Sequence, residues 1–353
     1  MKISGMILLL CLTGGCSTLG APVDPGTRIA ELVRKLERLE RRGFAGQLVV
    51  ARGDEVIVRR GFGTMAPGDP RRVDAGAVMP LASVTKPITA SAVLALAAEG
   101  RLALDEPIGE HLPGLAGHWA EVPVRHFLTH TAGLPAEIVN RDWAGEPRFE
   151  PIGRDTLIER VNRFRPDHPP GARFSYSNVG YNVLAALIEV VSGQSFEEFV
   201  AGGLLVTAGV DGIGLLEPGW SPERLVVSRH GSTAAGHYFG QPMLADGMGF
   251  HLRGAGDLMA TPAGVIAWWR AIRREVWLSA PWMEAWLTPR VAEPDGSRYG
   301  YGWNFRDSPL GPVIGHTGQV LDFTVDLSWY PDRDLLVYIN SADARFPADA
   351  LRW

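Results

Sequence analysis

The sequence contains almost no cysteine and no large excess of either charge. Only two of its 353 residues are cysteine, Cys11 and Cys16, and both lie within the first 16 residues. The rest of the chain therefore cannot form a disulfide, use a cysteine nucleophile or hold a metal through thiolates. With 34 basic and 39 acidic residues the formal net charge is −5, so no basic surface for nucleic acid is expected.

Internal repeats, low-complexity segments and apolar runs long enough to span a bilayer are also lacking. The histidines show no metal-ligand spacing such as H-E-x-x-H, so we predict no metal site, and we expect no cofactor. The chain has no G-x-S-x-G motif, which argues against the α/β-hydrolase fold. A hydrophobic content of 46% with 21% charged residues is typical of a globular protein with a sizeable core.

The first residues form a leader that differs from the rest of the chain. "MKISGMILLLCLTGGC" has one lysine, a short apolar run from Met6 to Leu12 and then small residues, which is the pattern of a signal peptide over 1–16. Its end, "LTGGC", resembles the lipobox of bacterial lipoproteins, with Thr13 where leucine is usual; ordinary signal cleavage nearby is the alternative. We expect lipidation at Cys16, a tether over 17–26, and an exported protein anchored at a membrane of the cell envelope, facing the periplasm or exterior.

Hydrophobic periodicity predicts strands near both ends of the chain and helices between them. Helices are predicted over 27–42, from Ser83 to about Glu99, and over 181–193 and 261–272. Strands are predicted within 46–63, with a turn at Gly53–Asp54, and over 299–305, 311–318, 321–330 and 334–341.

This order predicts an α+β fold, an antiparallel sheet flanked by helices with an inserted, mostly helical subdomain. One domain then covers 27–341. Its sheet part comprises about 27–100 and 291–341, its helical insert is about 101–290, and 342–353 form a short tail. A site is expected in the cleft between sheet and insert. The sequence leaves the oligomeric state open.

The stretch "PLASVTKPIT" (80–89) sets Ser83 three residues before Lys86. A serine is a poor nucleophile unless a base takes its proton, and one helical turn brings the lysine amine within reach of the hydroxyl. The alternative is an ordinary helix start with a capping serine and a solvated lysine. A nucleophile at a helix N-terminus would also place backbone N–H groups beside the developing oxyanion.

Two further segments supply what Ser83 and Lys86 lack. In "RFSYSNVGYN" (173–182), Tyr176 can relay protons beside Lys86, and Asn178 can hold a substrate amide oxygen. In "IGHTGQV" (314–320), the small Gly318 allows another chain to approach the strand closely, and the N–H of Gln319 can pair with that of Ser83 as an oxyanion hole. The tetrad His130–Gly133 mimics this segment, but it precedes Tyr176 and opens a helical region, so we assign it no direct part.

The three segments, Ser83-Val84-Thr85-Lys86, Tyr176-Ser177-Asn178 and His316-Thr317-Gly318, occur in the order of the serine penicillin-recognising enzymes. The chain from about 46 to 341 resembles the group of class C β-lactamases, D-alanyl-D-alanine carboxypeptidases and esterases, also in flanks such as "AGDLMATPAGVIAWW" (255–269) and "YGYGW" (299–303). The resemblance implies a β-lactamase/transpeptidase-like fold. It also implies that Ser83 is the nucleophile, that Lys86 and Tyr176 transfer protons, that Asn178 binds substrate, and that 316–318 line it.

The chain departs from the resemblance at His316, where many class C β-lactamases have lysine. We expect His316 to set substrate preference by holding an anionic group when protonated, or else to donate a hydrogen bond to Tyr176 or Ser83. The predicted function is hydrolysis, through a Ser83 acyl-enzyme, of a D-alanyl peptide, a β-lactam or a small ester. The alternative is a cell-envelope lipoprotein that binds penicillin or wall peptides and deacylates slowly or not at all.

Overall fold

The computed structural model describes residues 24–134, 152–215, 220–236, 249–250 and 252–352. The predicted signal peptide, the lipidation at Cys16 and most of the tether lie outside the described residues. Within these ranges no helix combines the length and apolar character needed to cross a bilayer.

The strands of the described ranges form one large sheet and two small ones. They are β1 Gly46–Arg52, β2 Glu55–Phe62, β3 Met79–Pro80, β4 Ile213–Leu215, β5 Ser228–His230, β6 Thr233–Gly236, β7 Leu258–Ala260, β8 Val291–Ala292, β9 Arg298–Tyr299, β10 Asn304–Arg306, β11 Val313–Val320, β12 Phe323–Tyr330 and β13 Leu335–Ser341. The large sheet has the order β2-β1-β13-β12-β11-β10-β9-β8, and each neighbouring pair is antiparallel.

Most helices lie between the two halves of the large sheet in the sequence. They are α1 Pro25–Glu40, α2 Thr85–Ala98, α3 Gly117–Ala120, α4 Val124–Leu128, α5 Arg154–Asn162, α6 Asn178–Ser192, a π-helix Glu197–Leu205, α7 Pro262–Arg273, α8 Ala280–Trp286 and α9 Ala348–Leu351. The helix α1 begins two residues before its predicted start, because Asp24 caps it by accepting a hydrogen bond from the Thr27 N–H at 2.8 Å.

The sheet joins segments that are far apart in sequence, as its strand pattern predicted. In β1, Gly46 pairs with Ser341 of β13, and Arg52 pairs with Leu335. Every residue of β13 is buried, since one core lies between the sheet and the helical region and a second lies between the sheet, α1 and α9. The predicted α+β fold with an antiparallel sheet is confirmed.

One predicted strand is wrong in detail. The segment 299–305 is two short strands, β9 and β10, separated by a turn at which Gly302 has a φ of +80°. A Cβ on Gly302 would lie 2.8 Å from the Lys86 carbonyl oxygen and from Pro87 Cα, so this turn lies directly against the first turn of α2. The turn thus helps to position Lys86.

Candidate active site

Ser83 lies in a 3₁₀ turn, Ala82–Val84, that leads into α2. The preceding Ala82 has a φ of +47°, a left-handed conformation that residues with a Cβ rarely adopt. Such strain persists where the surrounding structure imposes it, and it is common at functional turns. The cap residue of α2 is Val84, without a side-chain capping bond, so Ser83 does not serve as the helix cap.

Lys86 lies in the first turn of α2 and is fully buried. Its Nζ is 3.0 Å from Ser83 Oγ, 2.8 Å from Asn178 Oδ1 and 2.8 Å from the Ala255 carbonyl oxygen. The predicted contact between serine and lysine is therefore present, and two further groups fix the position of the amine.

The environment of Lys86 favours its neutral form. Burial lowers the pKa of its amine well below the ordinary value, and the Asp257 carboxylate opposes this effect only in part. A neutral amine has two N–H groups, which match the acceptors on Asn178 and Ala255, and one lone pair, which is left for the Ser83 hydroxyl. Lys86 is thus arranged to accept the Ser83 proton.

Tyr176 and Asn178 approach Lys86 from the start of α6. Asn178 is the first residue of that helix, and Lys86 Nζ lies 4.9 Å from the centre of the Tyr176 ring. Burial raises the pKa of the Tyr176 phenol above its ordinary value, and a hydrogen bond with the Ser83 side chain opposes this. Tyr176 is therefore a phenol, not a phenolate. Asn178 binds Lys86, a contact that our assignment of Asn178 to substrate did not anticipate.

The strand β11 forms the opposite wall. A Cβ on Gly318 would lie 2.8 Å from Ser83 N and 2.9 Å from Ala82 Cβ, so only glycine allows this approach to the nucleophile turn. Thr317 and Gln319 are exposed and line the same cleft as Ser83. The structure thus brings the residues predicted for substrate lining and the oxyanion hole beside Ser83, and their roles stay predictions.

His316 is buried and held by two hydrogen bonds. Its Nδ1 is 2.5 Å from the Thr317 carbonyl oxygen, which can only accept, so Nδ1 carries the proton; Nε2 then accepts from the Tyr299 hydroxyl at 2.9 Å. Burial, the largest cause, lowers the pKa of His316 to about 3, although the bond to the Thr317 carbonyl opposes this. The structure contradicts both expectations for His316, because a pKa of about 3 keeps the imidazole neutral well below pH 6.5, and its hydrogen bonds go to neither Tyr176 nor Ser83.

His130, to which the sequence assigned no direct part, packs against Tyr176. Its ring centre lies 4.2 Å from that of Tyr176, and its Nδ1 accepts the Ser177 N–H at 3.2 Å. The tetrad 130–133 follows the end of α4, and the residues 135–151 that come after it lie outside the described residues, so whether it opens a helical region stays a prediction. Sequence spacing could not reveal a stacking contact between residues 46 positions apart.

Sequence reasoning also missed three residues that act on Lys86 or His316. Tyr299 binds His316, Ala255 accepts from Lys86, and the fully buried Asp257 acts on Lys86 by its charge. All three lie in the segments 255–269 and 299–303, to which the sequence assigned no role at the site. Their signal was a carboxylate and a tyrosine placed among small, apolar residues.

The cleft has a volume of about 1310 Å³ and opens beside the nucleophile. Its walls include Ser83, Tyr176, Arg298, Tyr299, Thr317 and Gln319. Among the described residues, no three histidine, cysteine, aspartate or glutamate side chains converge as ligands for a metal ion. What the residues offer is a nucleophile, a base, a phenol and backbone donors, which is the set that acyl transfer requires.

Comparison with known proteins yields consistent similarities. A family model described as Beta-lactamase matches residues 29–353. A penicillin-binding protein of Bacillus subtilis is 24% identical over 325 residues, which cover 86% of this chain and 69% of that protein. The esterase EstB of Burkholderia gladioli is 32% identical over 206 residues; the match covers 54% of this chain and about half, 51%, of the esterase.

Solved structures show the same fold. The crystal structure of a penicillin-binding protein from Bacillus halodurans superposes with a TM-score of 0.76, at 21% identity, and the match covers 88% of this chain and 94% of that one. This likeness agrees with the β-lactamase/transpeptidase-like fold that the three sequence segments implied.

Proposed function

The chain belongs to the β-lactamase family and is a serine hydrolase, and from this premise we propose that it hydrolyses a small ester or amide through an acyl-enzyme on Ser83. The observation that carries the proposal is the contact of 3.0 Å between Ser83 Oγ and the buried amine of Lys86. A neutral amine at this distance can take the proton as the oxygen attacks.

In the first half-reaction the Ser83 proton passes to Lys86 Nζ while Oγ bonds to the substrate carbonyl carbon. The carbonyl oxygen becomes an oxyanion, for which we assign the N–H groups of Ser83 and Gln319 as donors. The close approach of Gly318 to Ser83 supports this assignment, since it holds the two segments together. The bond to the leaving group then breaks, and that group needs a proton.

Tyr176 is the group we assign to that proton transfer. Its buried phenol retains its proton near neutral pH and shares a hydrogen bond with the Ser83 side chain. The phenol gives its proton to the leaving oxygen or nitrogen and regains one from the Lys86 ammonium. In deacylation a water molecule attacks the acyl carbon, the same groups receive its proton, and Ser83 is released.

The neutral His316 favours acyl donors that need no cation at this position. With its Nε2 accepting from Tyr299, His316 presents neither a charge nor a free donor for a carboxylate. We therefore place uncharged esters and amides first among the substrates.

A second candidate is a carboxylate-bearing substrate, either a D-alanyl peptide or a penicillin. Arg298 favours it, because this exposed guanidinium lines the cleft that contains Ser83 and has no ion-pair partner among the residues that the structure describes. An arginine can bind a carboxylate through two parallel hydrogen bonds.

The test is the mass of the intact protein followed over time with a p-nitrophenyl ester and with a fluorescent penicillin. We expect the ester to form a transient adduct on the wild type and on Ser279→Ala, and no adduct on Ser83→Ala. Ser279 is the matched control, because it is an exposed serine directly before helix α8. A stoichiometric adduct on Ser83→Ala would overturn the proposal, and an adduct that never decays would favour the binding lipoprotein.

We also propose export and anchoring through a lipid on Cys16. The support is the leader composition and the "LTGGC" sequence at its end. The test is whether the wild type partitions into the detergent phase of a detergent extraction and Cys16→Ala does not.

A further inference from the structure

A second ionisable group is buried in the turn that binds the Lys86 amine through the Ala255 carbonyl. Asp257 is fully buried immediately before β7, and its Oδ1 accepts the Gly254 N–H at 3.0 Å. Its Oδ2 lies 3.4 Å from Arg253 Nε and has no hydrogen-bond partner among the described residues. The acyl-transfer steps above do not use this carboxyl group.

The turn that carries Asp257 is fastened to the helix that carries Lys86. Lys86 donates to the Ala255 carbonyl, and the Thr89 hydroxyl donates to the Gly254 carbonyl at 2.7 Å. On the other side of Asp257, the Leu258 N–H donates to Thr85 Oγ1 at 3.3 Å. Three residues of α2 therefore hold the turn, so the carboxyl group keeps a fixed position relative to the lysine.

Lys86 needs a counter-charge at one moment of the reaction. When it takes the Ser83 proton, the O–H bond breaks, a third N–H bond forms, and a buried neutral amine becomes a buried ammonium. An ammonium that has lost its hydration is costly unless an opposite charge lies near it. The negative charge made at the same time resides on the substrate oxygen, in the oxyanion hole.

We propose that Asp257 is a positioning residue that supplies this counter-charge, stabilising the ammonium that forms on Lys86 during acylation. Asp257 acts through Lys86 and touches neither the substrate nor the reacting atoms. The inference rests on the proposed Ser83 acyl-enzyme.

The charged groups around the pair are few. Arg253 favours the ionised form of Asp257, whereas Glu197, which pairs with Arg253 at 2.6 Å, disfavours it. Burial, the largest cause, raises the pKa of Asp257 to about 7. On the Lys86 side, His130 and His316 have pKa values lowered by burial and are neutral near pH 7. The carboxylate of Asp257 is thus the negative charge that acts on the Lys86 amine.

The test is the pH profile of kcat/KM for a p-nitrophenyl ester between pH 4 and 10, with Asp257→Asn. The amide has the shape of the carboxyl group and can still accept the Gly254 N–H, so the change removes mainly the charge. Without the carboxylate Lys86 is a weaker base. We expect the plateau to fall about tenfold and the acid limb, which reports loss of the neutral amine, to move about one pH unit lower.

The matched control is Glu197→Gln, which makes the same chemical change on the opposite side of Arg253. Removing Glu197 favours the ionised form of Asp257, so the acid limb should stay or move to higher pH. If Asp257→Asn does not fold, Arg253→Gln provides the test. Loss of the guanidinium leaves more of Asp257 protonated, and the limb should again move to lower pH.

The outcomes separate this inference from the proposed function. Turnover that survives Ser83→Ala overturns the acyl-enzyme itself. If turnover requires Ser83 but the wild type has no acid limb, or the limb stays in place in Asp257→Asn while the rate falls equally at every pH, Asp257 has only a structural role and the inference is wrong.

Discussion

The neutrality of His316 leads to a prediction about pH. If His316 held a substrate carboxylate by its charge, an unperturbed pKa near 6.5 would make it about 9% protonated at pH 7.5 and about 91% at pH 5.5. Acylation by a penicillin, relative to a neutral ester, would then improve up to about tenfold over this interval. With a pKa of about 3, the protonated fraction at pH 5.5 is only about 0.3%.

The measurement is the ratio of kcat/KM for one penicillin to kcat/KM for one neutral ester, taken at half-unit steps from pH 7.5 to 5.5. Because both substrates use Ser83, Lys86 and Tyr176, titration of those groups cancels in the ratio. We expect the ratio to stay constant within a factor of about two. Carboxylate binding by Arg298 would leave it equally flat, since a guanidinium stays charged throughout.

The control variant is His316→Asn, which can still bond to Tyr299 and has no charge at any pH. It should give the same flat ratio as the wild type, whatever its absolute rates. A wild-type ratio that rises about tenfold toward pH 5.5, and becomes flat in His316→Asn, would refute the reasoning and show that the imidazole titrates despite its burial and its bonds.

Four further predictions address the base, the strand, the anchor and the buried acid. Lys86→Met should slow acylation by about 10²- to 10⁴-fold in stopped-flow labelling, because the hydroxyl loses its proton acceptor. Gly318→Ala should destabilise the fold by about 1–3 kcal/mol in urea unfolding and reduce activity, since its Cβ would lie 2.8 Å from Ser83 N. In the control Gly117→Ala the new Cβ has no neighbour within 4 Å, so neither stability nor activity should change. Cys16→Ala should move the protein from the membrane fraction to the soluble one; a wild type that partitions into the aqueous phase of a detergent extraction would contradict the lipid anchor. As the pH rises from 4 to 7, the free energy of unfolding should decrease by at most about 4 kcal/mol, because the raised pKa of Asp257 favours the folded state only while the group is protonated. Asp257→Asn should flatten this pH dependence in urea titrations.

The parts of the site that were predictable are those set by local geometry. Three residues on a helix make one turn, so Ser83 and Lys86 had to lie on one face, and their atoms are 3.0 Å apart. Alternating apolar residues near both ends likewise required a common sheet, and Gly46 does pair with Ser341. In both cases the inference needed only the period of the secondary structure.

The wrong predictions share a cause, which is a contact between distant segments. The single strand predicted over 299–305 is broken because Gly302 lies against the backbone of Lys86 and Pro87. His316 was expected to become cationic below about pH 6.5, as its residue type predicts, and it stays neutral because the segments packed around it bury its ring and so lower its pKa.

Burial explains why the protonation states were the least predictable property of the site. A motif identifies a lysine, a tyrosine and a histidine, but their charges depend on how much water the fold leaves around them. In this fold burial shifts Lys86, Tyr176, His316 and Asp257 all toward their uncharged forms. Charge then appears on the amine only when the Ser83 proton is transferred, so a carboxyl group held beside the lysine can stabilise the charged state without holding the amine protonated beforehand. The difference in charge between the resting site and the reacting site therefore depends on the fold, and it cannot be predicted from the spacing of residues in the sequence.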